Sequence, residues 1–319
     1  MRVVALHCFC TSTLPCMKRL VSIALCLFFT VRSSHAQIDQ AQYMPLHPTT
    51  SGHYAFYALL NDKVMTRVMI ESGIYAAVVD SAFLFKHKEE LGMKVLPNNR
   101  NKEMNLGGKV YRITHRIKAK LPMGNMVYKG EVLVLANYRN DAPLTVPIQN
   151  LHHRGDWDSR IVMLDLEEGK LQMLTRSELR QWQGRRFKMN RNTYGRMPAV
   201  KGTITFGTTE GETILKGNFN IDLGNPMLLY LREQSTEVAS LLNEEKALRP
   251  VMSTTRSGQS IKTLHPRQCA LLGNTFERPV ICITDKLSRF TTEGLIGLPL
   301  FKGHIAVFDF ENNYLYMQE

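Results

Sequence analysis

An all-β fold of two homologous lobes, with short helices and a central cleft, is what the sequence predicts, on three observations. The chain is internally duplicated, its local signals are mostly strands joined by tight turns, and each half places an acid two residues before a glycine at the end of an apolar strand. Composition agrees: 319 residues, 44% hydrophobic and 21% charged, describe a globular chain long enough for two domains and exclude a disordered or collagen-like one.

The first element is a targeting segment. Met17-Lys18-Arg19 precedes the apolar run Leu20 to Val31, and Ser34-His35-Ala36 closes it before Gln37. Charged, apolar, then small-x-small is the pattern of an export signal. Residues 1–36 are therefore expected to be an N-terminal extension and signal peptide, cleaved near Ala36 to leave a periplasmic or secreted chain. At 12 residues the run falls short of the roughly 20 that span a bilayer, so no span is expected in the mature chain. Residues 1–16, with Cys8, Cys10 and Cys16, lie upstream of the better start, Met17, and carry no fold information.

The duplication is carried by three matches in the same order. VMTRVMIESGIYAAVVD (64–80) lies over LKGNFNIDLGNPMLLYL (215–231), with Glu71 over Asp222 and Gly73 over Gly224. Residues 106–134 lie over 256–283, with the Gly-Asn pairs 124/125 and 273/274 in register. VMLDLEEGKLQML (162–174) lies over AVFDFENNYLYMQ (306–318), with Asp165 over Asp309. Lobe one is placed at 40–175 and lobe two at 198–319, and a cleft between quasi-equivalent lobes is a favoured ligand site.

Within each lobe the signals are specific. Tyr54 to Leu60 and Val64 to Ile70 flank Asn61-Asp62, a hairpin turn pair, and Val127 to Leu135 and Thr203 to Phe206 read as strands. Asp80-Ser81 caps a helix to about Leu91, and Ser235 one to about Leu248.

Between Thr175 and Pro198 stand seven Arg/Lys against Glu178 alone. No zinc-finger, RNA-recognition or helix-turn-helix pattern accompanies them, so residues 176–197 read as a solvated basic linker and no nucleic-acid partner is expected. Residues 1–36 hold four basic and no acidic side chains, leaving 36 against 28 on the other 283 residues, a net +8. His152-His153 and the scattered other histidines lack metal-ligand spacing and read as surface residues; no metal or cofactor is expected. Cys269 and Cys282 are the two cysteines of the mature chain, and direct cross-strand pairing around Asn274 to Glu277 would suit a disulfide between them.

Ile70-Glu71-Ser72-Gly73 and Ile221-Asp222-Leu223-Gly224 resemble the paired Asp-Thr/Ser-Gly loops of the pepsin and retropepsin family of aspartic peptidases. Gly294-Leu295-Ile296-Gly297-Leu298-Pro299-Leu300-Phe301 is similar to the family's apolar-apolar-glycine strand behind an acid loop, and Ile305 to Tyr316 to its closing hairpin. The resemblance covers roughly residues 50–319. It implies a monomer with an internal pseudo-twofold, a peptide or protein substrate, catalysis by Asp222 and Glu71 with an activated water, and substrate contacts at Ser72, Gly73, Leu223 and Gly224. It also implies a flap at Gly107-Gly108-Lys109-Val110-Tyr111 that closes over substrate, with Gly108 and Lys109 among the substrate-binding residues.

The departures matter as much. Lobe one has Glu71 for Asp, lobe two has Leu223 for a hydroxyl residue, and His153 stands where lobe one should match Gly297. Glu carries one more methylene, about 1.5 Å of reach, against a placement tolerance of about 0.5 Å. Two functions follow: peptide hydrolysis by the unequal acids, or a catalytically degenerate pseudo-peptidase that binds an extended peptide or partner protein in the cleft by strand addition. Glu71→Asp should raise activity in the first case and do nothing in the second.

Overall fold

The computed structural model describes residues 43–106, 109–138, 140–156, 158–191, 197–244, 248–254, 260–285, 287 and 290–318. The export signal, the start at Met17 and the flap glycines Gly107 and Gly108 lie outside them. The chain is mostly strand, arranged in a 15-stranded and a 9-stranded sheet, with short helices at Ser81–His87, Arg176–Arg180 and Thr236–Glu244. Among the described residues no helix is long and apolar enough to cross a membrane.

The same motif is built twice. In lobe one Tyr54–Leu60 and Val64–Glu71 pair antiparallel around Asn61 and Asp62, whose φ of 50° and 57° is the left-handed region these residue types tolerate. Val64–Glu71 then runs parallel to Leu144–Pro147, which pairs antiparallel with Ala77–Asp80. In lobe two Glu212–Asp222 runs parallel to Gly294–Gly297, which pairs antiparallel with Leu229–Arg232. Each acid thus ends a strand whose neighbour crosses behind it. Both strands are buried at that end, Ile70 at 2% and Ile221 at 0% exposed, so both acids are delivered by a packed core.

The registers correct one expectation. Asp222 pairs with Gly297, and Glu71 pairs with Pro147 rather than His153. His153 ends the short strand Leu151–His153 against Met126–Leu135, and its Nδ1 accepts the N–H groups of Gly155 and Asp156. The Gly297 N–H donates to Leu228 O at 2.9 Å. A proline has no N–H to give, so lobe one holds its turn differently.

The closing hairpins lock the halves together. Ile161–Asp165 pairs antiparallel with Ile305–Asp309, and at the centre Met163 faces Val307, two residues equivalent in the duplication, so the pseudo-twofold axis passes between them. Asp165 and Asp309 cap their turns alike, each accepting the N–H groups two and three residues on. Gly169 and Asn313, also equivalent, both take positive φ.

Three further expectations change. Where described, the basic segment is structured: Thr175 and Glu178 form a capping box on the helix Arg176–Arg180, and Arg185–Arg191 pairs with both Tyr314–Gln318 and Pro198–Gly207. The Gly-Asn pairs are one residue out of register: Gly124-Asn125 form one turn, whereas Leu272-Gly273 form the other and Asn274 already lies in the strand Asn274–Glu277. Because Asn274–Glu277, expected as the loop between the cysteines, is itself a strand, the cysteines do not face each other. Cys269 faces Phe276, whereas Cys282 lies on Ile281–Thr284 facing Thr263 and Tyr230, beyond the break at Arg278-Pro279, and both are buried free thiols. The helix capped by Asp80 forms but ends at His87, short of Leu91, and the one expected after Ser235 forms over Thr236–Glu244, with residues 245–247 outside the described set.

Candidate active site

Glu71 and Asp222 meet where the two acid turns approach across the pseudo-twofold. Each carboxylate packs on the opposite turn's glycine. A methyl group at Gly73 would stand 2.7 Å from Asp222 Oδ1, and one at Gly224 would overlap the carboxylate of Glu71. Glycine is required at both positions by this close approach.

The backbone treats the acids unequally. Glu71 Oε1 accepts three N–H groups, from Ser72 at 2.8 Å, Gly73 at 3.0 Å and, across the lobes, Gly224 at 2.8 Å. Asp222 Oδ1 accepts one, from Gly224 at 3.0 Å. Glu71 is buried, at 8% exposure, and the extra methylene is accommodated by folding Oε1 back onto its own turn. Burial first, then the adjacent Glu71 charge and a hydrogen bond with Glu71, push Asp222 well above the usual carboxylate range, against the Gly224 N–H. Like charges this close resist ionising together, so the pair favours sharing one proton, and the burial of Asp222 draws it there.

Ser72 and Leu223 hold the turns rather than face the cleft. Ser72 is 0% exposed; its Oγ donates to Ile221 O at 2.8 Å and accepts from Leu223 N at 2.9 Å. Leu223, 2% exposed, sits in the hydrophobic core. Neither is positioned to touch a substrate, which corrects that expectation; one hydroxyl bridges the lobes where the duplication would supply two. A hydroxyl at position 223 would be the reciprocal acceptor for the Ser72 N–H, and here Glu71 accepts it instead. The longer acid compensates for the leucine.

The turns are braced from behind by different groups. In lobe one the buried Gln149 side chain donates Nε2 to Ile74 O at 2.8 Å and Ser72 O at 3.3 Å. In lobe two the Leu298 N–H donates to Asn225 O at 2.9 Å, and Asn225 Oδ1 accepts from Met227 N at 3.0 Å. Lys109, expected at the flap, is exposed where Lys109–Met123 begins, opposite Leu106; its partner Gly108 lies outside the described residues. Tyr111 and Tyr138 meet edge to face, centroids 5.5 Å apart, in a small apolar cluster with Ile74 just after the lobe-one turn.

Sequence reasoning missed His53. Its Nε2 lies 3.9 Å from Glu71 Oε2, its side chain 22% exposed, so it is no ordinary surface histidine. No local spacing marked it, because the hairpin pairing Tyr54 with Ile70 is what carries residue 53 alongside residue 71.

No family model matches the chain, and no curated protein matches it by sequence. Among solved structures it is similar to the aspartic proteinase from Irpex lacteus, at a TM-score of 0.54 and 10% identity over 86% of this chain and 96% of that one. At that identity the likeness is one of fold, and the fold this chain shares is that of a pepsin-like aspartic proteinase.

Proposed function

We propose that the protein is an exported aspartic-type endopeptidase that hydrolyses an extended peptide bound in the interlobe cleft. The observation that carries this reading is the meeting of two strand-end carboxylates, each packed on the other lobe's glycine, in surroundings whose burial and Glu71 charge favour the protonated form of Asp222. In the reaction, ionised Glu71 takes a proton from water through Oε2 while the water oxygen bonds to the peptide carbonyl carbon. Asp222 gives its proton to the carbonyl oxygen. Collapse of the resulting diol, with a proton delivered to the amide nitrogen, breaks the C–N bond and regenerates the acid pair. Export rests on the sequence pattern of residues 17–36.

A second reading has its own support. Glu71 Oε1 is committed to three amides and a single hydroxyl bridges the turns, an arrangement that also suits a cleft binding peptide without cleaving it. Digestion of a peptide library at several pH values, read by mass spectrometry, tests both. Cleavage by wild type that is lost in Asp222→Asn supports the peptidase; retention of peptides without cleavage supports the binder.

A further inference from the structure

Glu71 Oε1 is engaged by three backbone amides, so what governs the other oxygen, Oε2, lies elsewhere, and beside its partner Asp222 the titratable side chain near it is His53, at 3.9 Å. That distance is ion-pair range, longer than a hydrogen bond. The ring is held from behind. Ser51 Oγ stands 2.9 Å from His53 Nδ1 and donates to Asp141 Oδ2 at 2.6 Å. Asp141 also accepts Ser51 N at 3.0 Å and Thr50 Oγ1 at 2.8 Å, and these bonds hold its carboxyl far below the usual range, a fixed negative charge.

Proton bookkeeping sets the tautomer. Ser51 has one proton and gives it to Asp141, so it meets the imidazole with a lone pair, and Nδ1 carries the ring proton. Nε2 is then the nitrogen that gains or loses a proton, and Nε2 faces Glu71. The loop itself is tied down: Thr49 N donates to His53 O at 2.8 Å and His53 N to Thr49 Oγ1 at 3.1 Å, and a methyl group added at Gly52, whose φ is 86°, would stand 4.0 Å from Pro226 beside the lobe-two turn. Other titratable or charged groups around the ring are Asp222 beyond Glu71, Tyr138, which senses the Glu71 charge, and Arg67, which donates to Asp141 O at 3.3 Å.

Building on the peptidase reading, we propose that His53 is a positioning residue of the acid pair. Anchored by Ser51 and Asp141, it orients Glu71 Oε2 and, when protonated, keeps Glu71 ionised while Asp222 holds the shared proton. The chain runs from the Asp141 anion through the neutral Ser51 hydroxyl to His53, and from protonated His53 to the Glu71 anion, with protonated, uncharged Asp222 beyond it.

His53→Gln keeps a polar side chain of similar size and removes the charge. Two readouts are taken across pH: kcat/KM on a cleaved peptide, and ¹³C NMR of carboxyl carbons in selectively labelled protein. An opposite charge at this range moves a carboxyl by about one pH unit or more, so His53→Gln should raise both the acid limb of the rate profile and the lower carboxyl titration of the pair by about one unit. Ser51→Ala should move both the same way by less. Unchanged titrations in His53→Gln overturn the proposal whatever happens to thermal stability. The NMR readout needs no turnover, so absence of cleavage would count against the peptidase reading while leaving this test decisive. Should His53→Gln fail to fold, Ser51→Ala decides: a shift supports the proposal and no shift overturns it.

Discussion

In lobe one the strand-end acid gathers three backbone N–H groups on one oxygen and is flanked by a histidine; in lobe two it takes one N–H and faces no cation among the described residues. Both turns sit on the same frame, an apolar strand with a parallel neighbour crossing behind. The difference teaches how a symmetric scaffold yields an asymmetric acid pair: the frame sets position, while local hydrogen bonds decide which acid holds the proton. On the proposed peptidase reading, lobe one would supply the anion and lobe two the proton donor.

The largest effect should come from removing the donor. Asp222→Asn should lower kcat/KM on peptides by about 10³-fold, within the 10² to 10⁴ typical of a positioned proton carrier, measured by steady-state kinetics. Mutating Ser72 breaks the one hydroxyl bridge between the turns. Ser72→Ala should cost about 1–3 kcal/mol of stability by leaving the buried Leu223 N–H without its acceptor, read by denaturant titration.

A finer test concerns compensation. Glu71→Asp alone withdraws the carboxylate from the Ser72 and Gly224 amides, so activity should fall rather than rise, contrary to the simple expectation from sequence. Adding Leu223→Thr restores an acceptor for the Ser72 N–H. A double-mutant cycle should give a favourable coupling of about 1 kcal/mol in stability; a coupling near zero would mean the two departures arose independently.

The smallest effect is on the pH dependence of stability. Because the folded protein holds the Asp222 proton more tightly than the unfolded chain, Asp222 favours folding most below about pH 3.9, and that contribution is lost as pH rises through its raised folded value. Asp222→Asn should therefore flatten the decline in stability above pH 4, measured by thermal melts at stepped pH.

Much of this was legible in sequence, for identifiable reasons. Val64–Glu71 and Glu212–Asp222 announce themselves because a buried strand is apolar and its acid-x-glycine end is forced by close packing. The duplicated hairpins show because Asp165 and Asp309 do the same capping work. What hid was what only tertiary structure joins. Ser51 and Asp141 are 90 residues apart in sequence, and nothing local marks a histidine that the hairpin sets beside Glu71. Pro147 hid the lobe-one crossing strand because it lacks the glycine that signals it. Arg185–Arg191 read as linker because charged strands at a surface give no alternation to count. The cysteine pairing failed because Asn274–Glu277, read as the loop, is itself a strand and the turn lies three residues earlier at Leu272-Gly273, which reassigns every cross-strand partner.

That two unequal acids share one proton, held by Asp222, is open to measurement. It is tested most directly by following the Asp222 carboxyl carbon through a pH titration by ¹³C NMR, in wild type and in Glu71→Gln. Asp222 should titrate well above the ordinary value of about 3.9 in wild type and move back toward it when the Glu71 charge is removed. A wild-type Asp222 that titrates at the ordinary value, unchanged by Glu71→Gln, would contradict it.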